Sequence, residues 1–123
     1  MTIHFQMSSD VRLVASTRAI VASALDSATG PIVDIAVLLT DEVATNALLH
    51  GGGEYTVALD LDDVRIRVEV TDTCPDPPIV YEPSIDREFG RGMAIVNALA
   101  TAWGTERAGA GKTVWFELQR DRF

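Results

Sequence analysis

Three polar side chains stand at four-residue intervals in one apolar run. They are Glu42, Asn46 and His50, within Leu38-Leu39-Thr40-Asp41-Glu42-Val43-Ala44-Thr45-Asn46-Ala47-Leu48-Leu49-His50. At ~100° per residue, Ile35, Leu39, Val43 and Ala47 form the core-facing stripe of a helix. Asp34, Asp41 and Thr45 fall opposite, as a solvent face should. Glu42, Asn46 and His50 lie on or beside the stripe, where a carboxylate is costly unless it is paired or serves a metal. A side-chain amide oxygen beside a carboxylate suits a hard cation such as Mg²⁺, which takes oxygen ligands. A carboxylate next to bound metal and phosphate is also placed to take a proton from a hydroxyl or water. Glu42 alone would read as a boundary residue that snorkels to solvent. Three polar groups in one row at i, i+4 and i+8 instead line one wall of a cleft.

Two further segments bear chemistry. Asp72 ends the alternating run Val68-Glu69-Val70-Thr71-Asp72 and opens a loop rich in proline. By itself it reads as a turn starter; as a ligand group, a carboxylate at a strand end can accept a hydrogen bond from an exocyclic amine. In Gly90-Arg91-Gly92-Met93, the glycines let the backbone approach a ligand, and a helix that starts there offers free N–H groups to an anion. Arg91 either adds charge to such a site or is a solvated surface arginine. Gly111-Lys112-Thr113 has the look of a P-loop ending, but that motif needs glycine where Glu106 stands, and a helix where Val114-Trp115-Phe116-Glu117-Leu118 alternates like a strand.

These groups need elements to carry them. Ile3, Phe5 and Met7 alternate as a short first strand, and Ser8 or Ser9 can cap a helix with the stripe Leu13, Val14, Thr17, Ile20, Val21, Ala24 and Leu25. Gly30-Pro31 ends that helix and starts the one bearing Glu42, which stops at Gly51-Gly52-Gly53. Tyr55, Val57, Leu59 and Leu61, then Val64, Ile66, Val68 and Val70, give two strands with Asp62-Asp63 between them as a hairpin turn. An irregular loop over 72–89, a third helix from Gly90 through Leu99, and closing strands near 101–107 and 112–119 complete the order β-α-α-β-β-loop-α-β-β. That order specifies a two-layer α/β sandwich rather than a doubly wound fold.

The 123 residues suffice for one domain, 1–123, with one core. Eighteen acidic against ten basic residues, a formal charge of −8, argue against nucleic acid as a partner. Any anionic ligand must then be held by backbone N–H groups, a helix terminus, an arginine or a metal ion. The single cysteine, Cys74, forms no intramolecular disulfide, which fits a reducing compartment. The Met1-Thr2-Ile3-His4-Phe5 start lacks signal-peptide character, and no apolar run reaches the ~20 residues that span a bilayer. A cytoplasmic location, with no membrane partner, is expected.

In order and spacing, these segments resemble the GHKL ATPase/kinase superfamily, and most of all its small anti-sigma-factor, serine-protein-kinase branch in bacteria. Asp41 through His50 matches the N box, Asp72 with its loop the G1 position, Gly90 through Val96 the G2 box, and Leu99–Gly104 with Gly111–Trp115 the closing strands. The resemblance implies a Bergerat-type ATP-binding fold, with a mixed, mostly antiparallel sheet and three helices on one face. Carried over by position, Glu42 is the catalytic base and Asn46 the Mg²⁺ ligand. Asp72 reads the adenine amine, Gly90, Arg91, Gly92 and Met93 lie at the phosphates, and Thr113 supports the adenine through Asp72 or water. Segment 79–89 becomes a short ATP lid with few basic residues, and Thr73-Cys74-Pro75-Asp76 replaces the glycines usual after the G1 aspartate.

The implied activity is phosphorylation of an anti-sigma factor antagonist by ATP and Mg²⁺, with a sigma factor as second partner and a homodimer through the first strand. The alternative is a non-catalytic module in a partner-switching pathway, binding ATP or no nucleotide at all. Intact Glu42 and Asn46 favour the enzyme, and the sparse lid favours the module.

Overall fold

A computed structural model of the chain describes residues 2–7, 19, 21–23, 31–50, 54–76 and 91–122. Its five strands are β1 (Thr2–Met7), β2 (Tyr55–Leu61), β3 (Arg65–Asp72), β4 (Ala102–Ala108) and β5 (Gly111–Gln119). They form one sheet in the order β1-β2-β3-β5-β4, and each of the four pairings is antiparallel. Helices α1 (Pro31–His50) and α2 (Arg91–Leu99) pack against each other, and α1 also packs on β2, β3 and β5. Residues 19 and 21–23 are helical too, and Val21 is buried in the core. The rest of the expected first helix, including Leu13, Val14 and Thr17, lies outside the described residues. The result is the two-layer α/β sandwich expected, with its mostly antiparallel sheet.

Alternation builds the layer interface, because successive strand side chains point to opposite faces. Val57, Leu59, Ile66, Val68, Val70, Val114, Phe116 and Leu118 are all buried, and they meet Ile32, Ala36, Leu39, Val43, Ala47, Met93 and Val96 from the helices. The helix stripe expected from Ile35, Leu39, Val43 and Ala47 is slightly rotated. Ile35 is only half-buried, while Ala36, Thr40 and Ala44 are fully enclosed. Thr40 tolerates this because its hydroxyl donates to the Ala36 carbonyl at 2.7 Å. Pro31 occupies the first helical position, where its missing N–H costs nothing, and Asp34 lies in the positively polarised first turn.

The opposite sheet face is polar. Arg67 stacks 4.3 Å above the Trp115 ring and bonds Glu117 at 2.7 Å and Glu69 at 3.0 Å. Arg65 shares the Glu117 carboxylate at 2.9 Å. Thr71 and Thr113, directly opposite in register, join their hydroxyls at 2.7 Å.

Two turns differ from the sequence expectation. Val64 is not a strand residue but an exposed turn residue, since Asp62 Oδ1 accepts the N–H groups of Val64 (2.7 Å) and Arg65 (2.8 Å) and delays the strand by one position. The closing hairpin is tighter than Ala108-Gly109-Ala110-Gly111 suggested. Ala108 pairs with Gly111, leaving two turn residues, and Gly109 takes φ 58°.

Gly111 has a separate constraint. A Cβ there would overlap the carbonyl oxygen of Asp72 and sit 2.8 Å from its carbonyl carbon, so β5 can approach the end of β3 only without a side chain at 111. At Gly109 a Cβ meets nothing within 4 Å. Gly111→Ala should therefore lose about 2–3 kcal/mol in urea unfolding through a backbone clash. Gly109→Ala should lose only about 1 kcal/mol, from its positive φ. A near-neutral Gly111→Ala would contradict the close approach.

Candidate functional site

The candidate residues fall on two supports: the flank of α1, and the adjoining ends of β3 and β5. On α1, Glu42 and Asn46 are both half-buried, one turn apart, between the core stripe and the solvent face. Neither side chain has a hydrogen-bond or ion-pair partner among the described residues, so both keep their bonding capacity for a ligand. Burial raises the Glu42 carboxyl above its ordinary value, and the neighbouring Asp41 carboxylate adds to the rise. A carboxylate so shifted is a stronger proton acceptor than a solvated one. His50 ends α1, and its side chain lies outside the described residues.

Asp72, at the end of β3, is buried on the helix-facing side of the sheet. It is not alone. Directly opposite in register stands Lys112, equally buried, whose ammonium reaches Asp72 Oδ2 at 2.9 Å and Oδ1 at 3.2 Å. The same ammonium donates to the Cys74 carbonyl at 3.2 Å, and the Cys74 N–H donates to Asp72 Oδ1 at 2.9 Å. The loop after β3 is thus folded back onto the ion pair through both backbone groups of Cys74. Its thiol lies 3.8 Å from Asp76 and takes no part in the pair.

One expectation is corrected. Thr113 does not support Asp72, because strand side chains alternate. It projects from the opposite sheet face to Thr71, and Lys112 takes the inward position. Met93 begins α2 but sends its side chain into the hydrophobic core, so only its backbone is left to face a ligand. Lys112 is the functional candidate that the sequence reading missed. Its signal was available, for Val114, Phe116 and Leu118 are inward residues and 112 has the same parity.

Arg91 and Gly92 form the first turn of α2, where backbone N–H groups have no helical partner. Gly90 and the lid segment 79–89 lie outside the described residues. Among the described residues no three His, Cys, Asp or Glu side chains cluster as a metal site. No helix there is long and apolar enough to cross a membrane.

The family model described as histidine kinase-, DNA gyrase B- and HSP90-like ATPase matches residues 33–122. This range takes in Glu42, Asn46, Asp72 and Lys112. Among solved structures, the chain is similar to the crystal structure of the RsbU and RsbW domains of Rv1364c from Mycobacterium tuberculosis, with a TM-score of 0.70 at 20% identity. That likeness covers 98% of this chain but only 33% of the other, so this chain spans about a third of that chain's length. The curated proteins contain no match.

The shifted Glu42 generates a pH prediction. A carboxyl whose folded value lies above its ordinary 4.5 penalises folding while it is ionised. Stability relative to Glu42→Gln should accordingly be lowest at neutral pH and recover as pH falls through the raised value toward 4.5. Urea unfolding of both proteins across that window measures the difference. A Glu42→Gln variant that is less stable at pH 7, with the gap widening as pH rises, would contradict the assignment.

Proposed function

The chain belongs to the histidine kinase-, DNA gyrase B- and HSP90-like ATPase family, and from that premise we propose that it binds Mg·ATP and acts as a protein-serine kinase in a partner-switching circuit of the bacterial cytoplasm. Its substrate is an anti-sigma factor antagonist, and its second partner is a sigma factor. The observation that carries the reading is the pairing of Glu42 with Asn46. A scaffold gains nothing from holding a carboxylate half-buried, without a partner among the described residues and with its proton affinity raised, one turn from an equally uncommitted amide.

The residues divide the work. A Glu42 carboxylate oxygen accepts the proton of the partner's serine hydroxyl. The Asn46 side-chain oxygen supplies a neutral ligand for a hard cation. The opening turn of α2, with Arg91 and Gly92, turns unpaired N–H groups and the positive end of the helix dipole toward phosphate. Bound Mg·ATP supplies the phosphoryl group and the cation that neutralises its charge. A phosphate placed on the antagonist adds charge at its docking surface and expels it, leaving the sigma factor sequestered. β1, at one edge of the sheet, is the strand through which a homodimer would form.

One observation favours a second reading. The Asp72 carboxylate, the group that would read the base, is already neutralised by Lys112. A domain with that arrangement also suits a protein-docking role in the same kind of circuit, with nucleotide held loosely or not at all.

Calorimetric titration of Mg·ATP separates the two. The kinase reading expects micromolar binding, weakened about tenfold or more by Asn46→Ala, and retained in Glu42→Gln with phosphoryl transfer lost. Absence of binding to the wild-type protein would remove the kinase and leave the docking module.

A further inference from the structure

We propose that the exposed side of α1 seats the partner that is phosphorylated, and that the segment it takes is cationic, with its serine between two apolar residues. The inference rests on the kinase reading above. It names the substrate chemistry which that reading leaves open, and it uses residues to which that reading gives no role.

Eleven positions along a helix return to within ~20° of the starting direction. Leu38 and Leu49 therefore stand on one line along α1. They are 39% and 49% exposed, whereas Leu39 on the inner side is fully buried. Glu42 and Thr45, both half-buried, lie between them and within ~40° of the same line. A surface helix ordinarily keeps this side polar. One exposed leucine is common and signifies nothing. Two on one line, on either side of a carboxylate without a partner among the described residues, make a strip.

The charge around the strip has one sign. Asp34 is exposed one turn before Leu38, and Asp41 borders Glu42. α1 contains no lysine or arginine, and no ion pair among the described residues engages these three carboxylates. A second copy of this chain, paired by a two-fold axis on this side, would set the acids against themselves. Nucleic acid and anionic lipid would meet the same repulsion. The complement is a polypeptide segment that brings apolar side chains and positive charge together.

Spacing sets the register of that segment. At ~1.5 Å per residue, Leu38 lies ~6 Å from Glu42 along the axis, and Leu49 lies ~10.5 Å away on the other side. An extended chain advances ~3.3 Å per residue. A serine over Glu42 thus has one apolar residue about two positions away and another about three positions away on the opposite side. Cationic residues fall near Asp34 and Asp41. The step is that of the kinase reading: the serine oxygen bonds the terminal phosphorus of ATP, its proton passes to Glu42, and ADP is the leaving group.

The probe is a fluorescein-labelled peptide, Lys-Ala-Leu-Lys-Ser-Ala-Ala-Leu, titrated with the protein in Mg·ADP and followed by fluorescence anisotropy. Replacing both its lysines by glutamate, or both its leucines by asparagine, should weaken binding about tenfold or more. Leu38→Ser and Leu49→Ser should each weaken binding of the original peptide about fivefold or more, with Mg·ATP affinity unchanged. Both leucines are exposed, so neither change opens a cavity in the core. A protein that binds Mg·ATP but not the peptide, or that binds the glutamate peptide equally well, overturns the inference. So does a wild-type dimer, seen by light scattering, that Leu38→Ser or Leu49→Ser converts to a monomer. Failure to bind Mg·ATP is a separate result: it removes the kinase reading, and the inference falls with it.

Discussion

The ion pair between Asp72 and Lys112 is the constraint on which the functional end of this domain depends. Two opposite charges lie inside the sandwich, on the sheet face that elsewhere carries Val68, Val70, Val114 and Phe116. Removing either from water is costly, and the cost is met only if both are present and fully hydrogen-bonded. Several features of the fold converge on that condition. The antiparallel register of β3 and β5 sets the two residues opposite each other, Gly111 allows the strands to close, and the backbone of Cys74 folds back to bond both partners. The loop that follows β3 therefore begins from a fixed point.

The flank of α1 offers a contrast. Glu42 and Asn46 have no partners among the described residues, and the Glu42 carboxyl is held above its ordinary value by burial. Among the described residues, one support is thus held by an ion pair and the other is open. Glu42 and Asn46 both lie within the range matched by the histidine kinase-, DNA gyrase B- and HSP90-like ATPase family. The inward position of Lys112 follows from the register of β5 against β3. The choice between kinase and docking module turns on the difference between the two supports: the polar groups of α1 are uncommitted among the described residues, and Asp72 is paired with Lys112.

Much of this was legible in the sequence because the signals were strongly periodic. Pro31 marked the start of α1, and alternation around Val57, Leu59, Val68 and Phe116 marked the buried strand face. The departures have local causes that a period does not encode. Val64 continues the apolar alternation of β3, yet the Asp62 side chain captures its N–H and holds it in the turn. Thr113 carries the residue type expected beside a base, but parity sends it to the other face, against Thr71. Lys112 was hidden by its type. A lysine is read as solvent-facing by default, and only the register of β3 against β5 shows that a buried aspartate stands opposite. Burial followed hydrophobicity over most of the described sheet face, and departed from it where Asp72 and Lys112 were buried together.

The claim that α1 and the end of β3 together form a nucleotide site is tested most directly by two-dimensional ¹H–¹⁵N NMR of the protein during titration with Mg·ATP. Binding at that site should shift the Asn46 side-chain amide and the Cys74 and Gly92 backbone amides, in step with one another and with a common affinity. Saturating Mg·ATP that leaves these three signals in place, or moves only residues of the polar sheet face such as Trp115, would contradict it.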